Sequence, residues 1–289
     1  MISEKIYKRI IATGGVLIVG LLLSIFFTLF INSMPSIKKF GFKFLINKTW
    51  DPVFGNFGAL PFVLGTLLTS VVSLIISIPF SLSLSLFISE YYRDRFFSKI
   101  FEIFVEILAV IPSVIFGLWA LFYLAPIVRN IQIKLSLPPT GVSILTASLV
   151  LSIMIIPYAT SVGKEVIKLV PYDLKEAGFS FGATHYEVIR KVVFPYAKSG
   201  IFAGFLLSFG RAIGETMAVT MVIGNSNFLT FNIFHPANTI SSLIANEFLE
   251  AVENIHISVL IELAFILFII TLIVNFIANF IIKKMRVSL

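Results

Sequence analysis

Six times along its length this sequence passes through an apolar run long enough to cross a lipid bilayer. The runs are Ile10 to Ile31, Pro61 to Ile88, Ile100 to Leu124, Gly141 to Thr160, Ser199 to Gly224 and His256 to Ile282. About 20 apolar residues in a helix span a hydrocarbon core of about 30 Å. No other feature constrains the fold so strongly, because lipid offers no partner to an open backbone group and runs of this length must be helical. Composition agrees. Of 289 residues, 58% are hydrophobic and only 13% charged, against roughly 25% charged in a soluble domain. The predicted fold class is therefore all-α and integral to the membrane, with six transmembrane helices.

The same composition removes several functions. The net charge of +7 fits loop lysines that set membrane topology better than it fits nucleic-acid binding. With no cysteine there are no disulfides and no thiolate metal sites. His185, His235 and His256 are scattered and lack ligand spacing. No Gly-x-x-x-x-Gly-Lys-[Ser/Thr] stretch occurs, so the chain is not expected to be an enzyme, and ATP-driven transport would need another subunit to hydrolyse the nucleotide. The first run follows Lys5, Lys8 and Arg9 in the manner of a signal peptide. It is too long for such a segment, however, and no small-x-small site follows it, which predicts a retained first helix.

Six spans put both termini on one side, and the positive-inside rule selects which. With the termini inside, the cytoplasm receives Lys5, Lys8, Arg9, Arg93, Arg95, Lys99, Lys164, Lys168, Lys175, Arg190, Lys191, Lys198, Lys283, Lys284 and Arg286. The outside receives Lys38, Lys39, Lys43, Lys48, Arg129 and Lys134, and Arg211 stays within the membrane. Between the spans, Pro112 is expected to kink the third helix, with Ser113 re-satisfying the freed carbonyl. Pro126 to Thr140 is expected to be a short outer loop. Glu90, Arg93, Asp94, Arg95 and Lys99 make a charged inner loop. In the second span Thr66, Thr69, Ser70, Ser73 and Ser77 are expected to hydrogen-bond across helices and permit close packing. Within the last outer segment, Asn225 to Asn254, Ser241 to Phe248 reads as a short helix.

The inner stretch from Asp173 to Pro195 carries two helix starts. Asp173 with Glu176, and Thr184 with Glu187, each have the spacing of a capping box. Gly182 between them suits a left-handed turn. The prediction is a short helix, a glycine corner, and a second helix stopped before Pro195: an L-shaped element suited to docking on another protein. Its spacing resembles the EAA loop of ABC-importer permeases, on which Glu176, Ala177, Gly182 and Pro195 fall. Gly178 stands for the third alanine of that pattern, Val192 for the isoleucine and Phe194 for the leucine. The resemblance implies a type I ABC importer (MetI-like) permease fold with a cytoplasmic coupling loop over 161–198. It assigns ATPase coupling to Asp173, Glu176, Ala177, Gly182, Ala183, Thr184 and Pro195. Residues 1–60 would form a first helix and outer segment, and residues 61–289 a five-helix permease core.

The fifth span holds Phe209-Gly210-Arg211-Ala212-Ile213-Gly214-Glu215-Thr216-Met217-Ala218-Val219. Arg211 and Glu215, four residues apart, would share one helical face. A charge at bilayer depth costs at least about 2.5 kcal/mol and normally faces a cavity or a partner. One reading is an ion pair that locks packing. The other is an anion path in which Arg211 binds and Glu215 orients or gates, with Gly210 and Gly214 letting another helix approach. Gly-Arg-Ala-Ile-Gly-Glu-Thr-Met-Ala-Val resembles the fifth-helix motif of phosphate-importer permeases. So do Leu60-Pro61 with Gly65-Thr66, Ala109-Val110-Ile111-Pro112-Ser113, and Ile244-Ala245-Asn246-Glu247-Phe248. Met217-Ala218-Val219 favours a PstC-type over a PstA-type subunit, and the similarity runs from about Trp50 to the C-terminus. That resemblance implies a substrate path at Arg211, Glu215 and Thr216, and a prokaryotic cytoplasmic (inner) membrane location. It also implies a heterodimer with a PstA-type permease, a PstB-type ATPase dimer that uses ATP-Mg, and an extracytoplasmic PstS-type binding protein. No cofactor is expected on this chain itself. Bottom-up, the residues say only that an anion is plausible. Permeases for sulfate or molybdate share the docking loop. A secondary transporter or channel would need neither that loop nor an ATPase, and a structural scaffold would have little reason to keep Arg211 in the bilayer.

Overall fold

The structure, a computed structural model, describes residues 2–93 and 95–285; Asp94 and Arg286, both assigned to the cytoplasmic side above, lie outside the described residues, as does the side chain of Lys5. Helix α1 (Ile2–Phe40) ends at Gly41, whose φ of +54° turns the chain into the single-turn α2 (Lys43–Ile46). Helix α3 (Leu60–Leu86) runs on through a π segment at Phe87–Tyr91. Then come α4 (Phe96–Val110), α5 (Ser113–Trp119), α6 (Ala125–Lys134) and α7 (Ile144–Lys168). The inner element comprises α8 (Tyr172–Ser180) and α9 (His185–Val188); after it follow α10 (Phe194–Ile213), α11 (Met217–Val222), α12 (Ile240–Glu247) and α13 (Asn254–Met285). Among the described residues six helical stretches are long and apolar enough to span a membrane: Tyr7–Phe40, Leu60–Tyr91, Ser113–Lys134, Ile144–Lys168, His185–Ile213 and Asn254–Met285.

Helix α7 is the axis of the bundle. Two thirds of its apolar stretch, 67%, is buried, whereas that of α1 is 0% buried. α7 packs against α3, α10 and α4, while α1 lies along α13. The α3–α7 seam is built from small residues. Gly65, Thr66, Thr69, Ser70, Ser73, Ser77, Ser81 and Ser85 of α3 are all buried, opposite Ala147, Ser148, Ser152, Ala159, Thr160 and Gly163 of α7. A Cβ on Gly163 would lie 2.6 Å from Ser85 Oγ, so the glycine is needed for this approach. The hydroxyls of α3, however, mostly donate to carbonyls of their own helix rather than across it. Thr66 bonds Phe62 at 2.8 Å, Ser70 bonds Thr66 at 2.7 Å and Ser73 bonds Ser70 at 2.8 Å. The i−3 and i−4 carbonyls are always within reach, and this satisfies the hydroxyl wherever the neighbour sits. Cross-helix bonds are made farther along and from the other side: Ser85 to the Thr160 carbonyl, Ser89 to that of Lys164 and Ser148 to that of Thr69.

Proline accounts for three further departures from expectation. Pro112 does not kink one long third helix; it separates α4 from α5. Ile111 before it takes ψ 127°, the extended conformation that a following proline ring imposes. The region after Pro126 is not a loop but α6, reached through a π segment at Ala120–Leu124. Likewise Pro195 does not stop the helix that begins at His185. A π segment at Ile189–Val193 leads straight into α10. In both cases the carbonyl four residues before the proline, of Phe122 or Lys191, falls inside the π turn. The wider i→i+5 turn removes the demand for the missing N–H and the clash with the ring. Helix α7 also outruns the expected span, continuing past Thr160 to Lys168, so the inner element begins later than residue 161. The short outer helix is present as α12, one residue earlier than expected at each end.

Candidate transport site and coupling surface

The fifth span is interrupted at the residues that carry its charges. α10 ends at Ile213, Gly214 donates to the Gly210 carbonyl at 3.3 Å, and α11 starts only at Met217. Thr216, with φ −113° and ψ −65°, stands between them. Arg211 and Glu215 are thus not on one unbroken helix face, as their spacing suggested; the backbone opens between them. They still meet, with Arg211 Nη2 3.6 Å from Glu215 Oε2. Their exposures differ sharply. The Glu215 side chain is 5% exposed and that of Arg211 42%. Glu215 Oε1 lies 3.5 Å from the Ala218 amide, which donates to it from the first turn of α11. The guanidinium lies 5.3 Å from the ring centroid of Tyr158 on α7, within cation–π range. Arg211 is therefore steadied by one carboxylate and one aromatic face. A guanidinium has five N–H donors, and this single long contact leaves most of them available.

Thr216 is half-buried beside the pair without joining it; its hydroxyl turns to the Gly214 carbonyl at 3.4 Å. Gly210 and Gly214 are not contact points for another helix of this chain. A Cβ on Gly210 would meet nothing within 4 Å, and one on Gly214 only backbone of the preceding turn, at 3.8 Å or more. Sequence spacing could not show the break, because Gly-Glu-Thr carries no proline and is compatible with a continuous helix.

At the inner end, Gly182 has φ +78°, the left-handed conformation expected of it. Thr184 caps α9 in a full capping box: its amide donates to Glu187 Oε2 at 3.0 Å, and Glu187's amide to Thr184 Oγ1 at 3.4 Å. The first expected box is absent. Pro171 occupies the N-cap of α8, and Asp173 lies in the first turn without capping it. Its charge still suits the positive end of the helix dipole. Glu176, Ala177, Gly182 and Thr184 are exposed, and Ala183 and Pro195 half-buried. Around them lies an apolar surface that includes Tyr172, Leu174, Phe179, Tyr186 and Phe181, the last 90% exposed.

The anchoring of this element was not foreseen. Lys175 pairs with Glu90 in the π segment that follows α3, and the two side chains are only 6% and 8% exposed. Lys164 pairs with Glu102 of α4, which Lys168 also approaches at 3.9 Å. The His185 ring packs between Tyr91 at 4.8 Å and Phe179 at 6.1 Å. As a sequence, Lys175 looked like one more topology-setting charge. Only the packing of α8 against the π segment after α3 makes it a buried partner.

Among the described residues, six membrane-length helices with α7 as their axis, a two-helix inner element between the fourth and fifth, and a fifth helix broken beside an arginine define a transmembrane permease of the type I ABC-importer class. Solved structures share this architecture. A chain of the MetNI methionine ABC transporter in an inward-facing form superimposes with a TM-score of 0.63 at 15% identity, covering 83% of this chain and 100% of that one. A bacterial ABC transporter for import of the acidic polysaccharide alginate gives 0.58 at 17% identity, over 89% and 96% of the two chains. The profile of the family described as binding-protein-dependent transport system inner membrane component matches residues 77–287, and the chain belongs to that family, on its PstC-type branch. It is 38% identical to the phosphate transport system permease protein PstC of Mesorhizobium japonicum, over 98% of this chain and 91% of the relative. Identity is 39% with PstC of Haemophilus influenzae, over 98% and 94%. With PstC 2 of Mycobacterium tuberculosis it is 33%, over 94% and 90%. The chain is accordingly a multi-pass membrane protein and a transport component.

Proposed function

We propose that this permease carries inorganic phosphate inward as the PstC-type half of an ATP-driven importer. The relatives' names supply the substrate class, and the observation that carries the reading is Arg211. It is a half-exposed guanidinium in a helix break within the fifth span, held on one side by buried Glu215 and resting on Tyr158. Moving phosphate through low dielectric requires fixed positive donors, and a planar guanidinium supplies several at once. Glu215 offsets the charge when the path is empty and orients the fork when an anion arrives. Thr216, beside the break, lines the same path.

In this reading a PstA-type permease completes the path, and the open faces of Gly210 and Gly214 are available to it. A PstB-type ATPase dimer hydrolyses ATP-Mg and docks on Asp173, Glu176, Ala177, Gly182, Ala183 and Thr184. Pro195 lies where that element enters α10. A PstS-type binding protein delivers substrate from outside. The termini and the α8–α9 element lie in the cytoplasm of a prokaryotic cell, with the inner membrane as the site of assembly. Residues 1–60 form an appended unit beside a core of residues 61–289, a division supported by the unburied apolar stretch of α1. The coupling route is short. His185–Ile213 is one helical stretch of 29 residues, about 43 Å long, with the docking corner at one end and Arg211 at the other. Movement of the corner on ATP binding is passed along that stretch, and the Gly214–Thr216 break absorbs it while access to Arg211 switches sides.

The test is uptake into proteoliposomes that contain the complete complex, with phosphate, sulfate and molybdate offered separately. ATP-dependent phosphate uptake that Arg211→Gln abolishes supports the proposal. Preference for another oxyanion overturns the substrate, and ATP-independent uptake overturns the class.

A further inference from the structure

The corner where α1 gives way to α2 holds a cavity that the transport reading does not use. Its volume is about 480 Å³, and Lys39 and Lys43 line it together with Phe40, Phe44, Ile46 and Phe57. The walls are fixed by the chain that returns past them. The Ala59 amide donates to the Phe44 carbonyl at 2.8 Å, and the Leu60 amide to that of Asn47 at 3.3 Å. Asn47 also lines the cavity, but its side chain is engaged within the protein. Its Nδ2 donates to the Phe57 carbonyl at 3.1 Å, and its Oδ1 accepts from the Thr49 amide at 3.3 Å and the Thr49 hydroxyl at 3.0 Å. A Cβ on Gly58 would strike the Asn47 backbone, so the glycine lets the returning chain close against α2.

Both lysines are exposed. Among the described residues no carboxylate pairs with either, and none lines the cavity. The Lys39 ammonium lies 5.3 Å from the Phe40 ring centroid, within cation–π range. Phe44 and Phe57 are buried, while Ile46 is 70% exposed. The corner stands at a membrane boundary, since the first apolar helical stretch ends at Phe40 and the second begins at Leu60. Pro35 and Ile31, four and eight residues before Lys39 on α1, are exposed as well, and steps of four stay on neighbouring turns of one helix side. The apolar stretch of α1 is 0% buried. The pattern is two cations without a carboxylate partner over an apolar cavity, at the end of a helix flank open to lipid.

We infer that this cavity binds an anionic phospholipid. Its phosphate sits between Lys39 and Lys43, its glycerol backbone and first methylenes lie against Phe40 and Ile46, and its chains follow Pro35 and Ile31 away from the corner. Headgroup, phosphate and chains then succeed one another from the membrane surface inward, as they do in the bilayer. A free phosphate would gain from the lysines and nothing from phenyl and isoleucine walls, whereas a lipid uses both. A zwitterionic headgroup brings its own cation, which the same two lysines repel; a phosphatidylglycerol headgroup brings none.

Native mass spectrometry of the intact complex tests this after exchange into equimolar phosphatidylglycerol, phosphatidylethanolamine and phosphatidylcholine. The wild type should retain phosphatidylglycerol preferentially. Lys39→Gln and Lys43→Gln should each cut that retention about fivefold, the scale of one basic residue at an anionic membrane surface, and the double variant about 25-fold. Lys38→Gln and Lys48→Gln remove exposed lysines that do not line the cavity, and they should leave retention unchanged. Equal retention of the three lipids by the wild type overturns the proposal. So does an equal loss in the Lys38 and Lys48 variants, because the general positive field of the corner would then hold the lipid. Displacement of the lipid by inorganic phosphate overturns it too, since the cavity would then be a site for the free anion. Since the readout is lipid mass, it stands apart from whether phosphate is the transported ion.

Discussion

Arg211 acts as more than a positive charge if its fork and its position on Tyr158 both matter. Arg211→Gln should then reduce uptake per assembled complex to background. Arg211→Lys, which keeps charge and loses the planar fork, should lower it by about tenfold or more. Glu215→Gln separates two roles. Glu215 accepts one amide of the first turn of α11 and faces Arg211, so the amide should leave assembly near normal and slow turnover by altering the field at the guanidinium. Uptake normalised to complex in the membrane decides each case; near-wild-type uptake by Arg211→Gln would reduce the pair to a packing device. Lys175 and Glu90 invite a different experiment. Leaving one member of a buried ion pair alone costs about 3–5 kcal/mol, so Lys175→Ala and Glu90→Ala should each lower the thermal midpoint of the purified protein. The exchange Lys175→Glu with Glu90→Lys should recover most of the loss, and no recovery would show that the site tolerates only one polarity. At this scale the sequence was partly legible. Arg211 and Glu215 stood out because charge in an apolar run is expensive, whereas Lys175 and Glu90 did not, because in sequence each looked like a loop charge.

Among the elements, the corner between α8 and α9 was the best anticipated. Gly182 was expected in a left-handed turn and is found at φ +78°. A Cβ there would meet nothing within 4 Å, so any penalty of substitution comes from the backbone alone. Gly182→Val should therefore weaken ATPase association or uncouple hydrolysis from uptake, while Gly182→Asn, a residue that tolerates this conformation, should retain both. A pull-down of the ATPase together with the ratio of hydrolysis to uptake distinguishes the variants; equal behaviour of the two would remove the backbone explanation. The helix ends were less well anticipated, and proline is the reason. Pro112 broke a helix that was expected only to bend, while Pro126 and Pro195 were absorbed by π turns where a loop or a stop was expected. A proline ring forbids one hydrogen bond, and the surrounding packing decides whether the chain bends, breaks or widens. That packing lies far away in sequence, in α7 and α11.

For the molecule as a whole, the number of spans and the helical class followed from apolar run length, a local property fully present in the sequence. The orientation expected from counting lysines and arginines has a direct test. In this cysteine-free chain a single Cys at Phe181, which is 90% exposed, should resist an impermeant thiol reagent in intact cells and react once the membrane is opened. Labelling from outside would invert the topology and remove the ATPase from reach of the α8–α9 corner.

The uneven burial of the helices bears on how such a chain comes to be made. The first and last spans are the most apolar of the six, whereas His185–Ile213, which carries Arg211, is the least. Leaving the ribosome in order, α1 is able to partition into lipid unaided. The arginine-bearing helix emerges before α13, one of its packing partners, has been synthesised. Its commitment to the bilayer therefore depends on α3 and α7 being retained beside the insertion machinery to receive it. Defects in the α3–α7 seam should appear first as failed biogenesis, with nascent chains degraded before any transport step is reached.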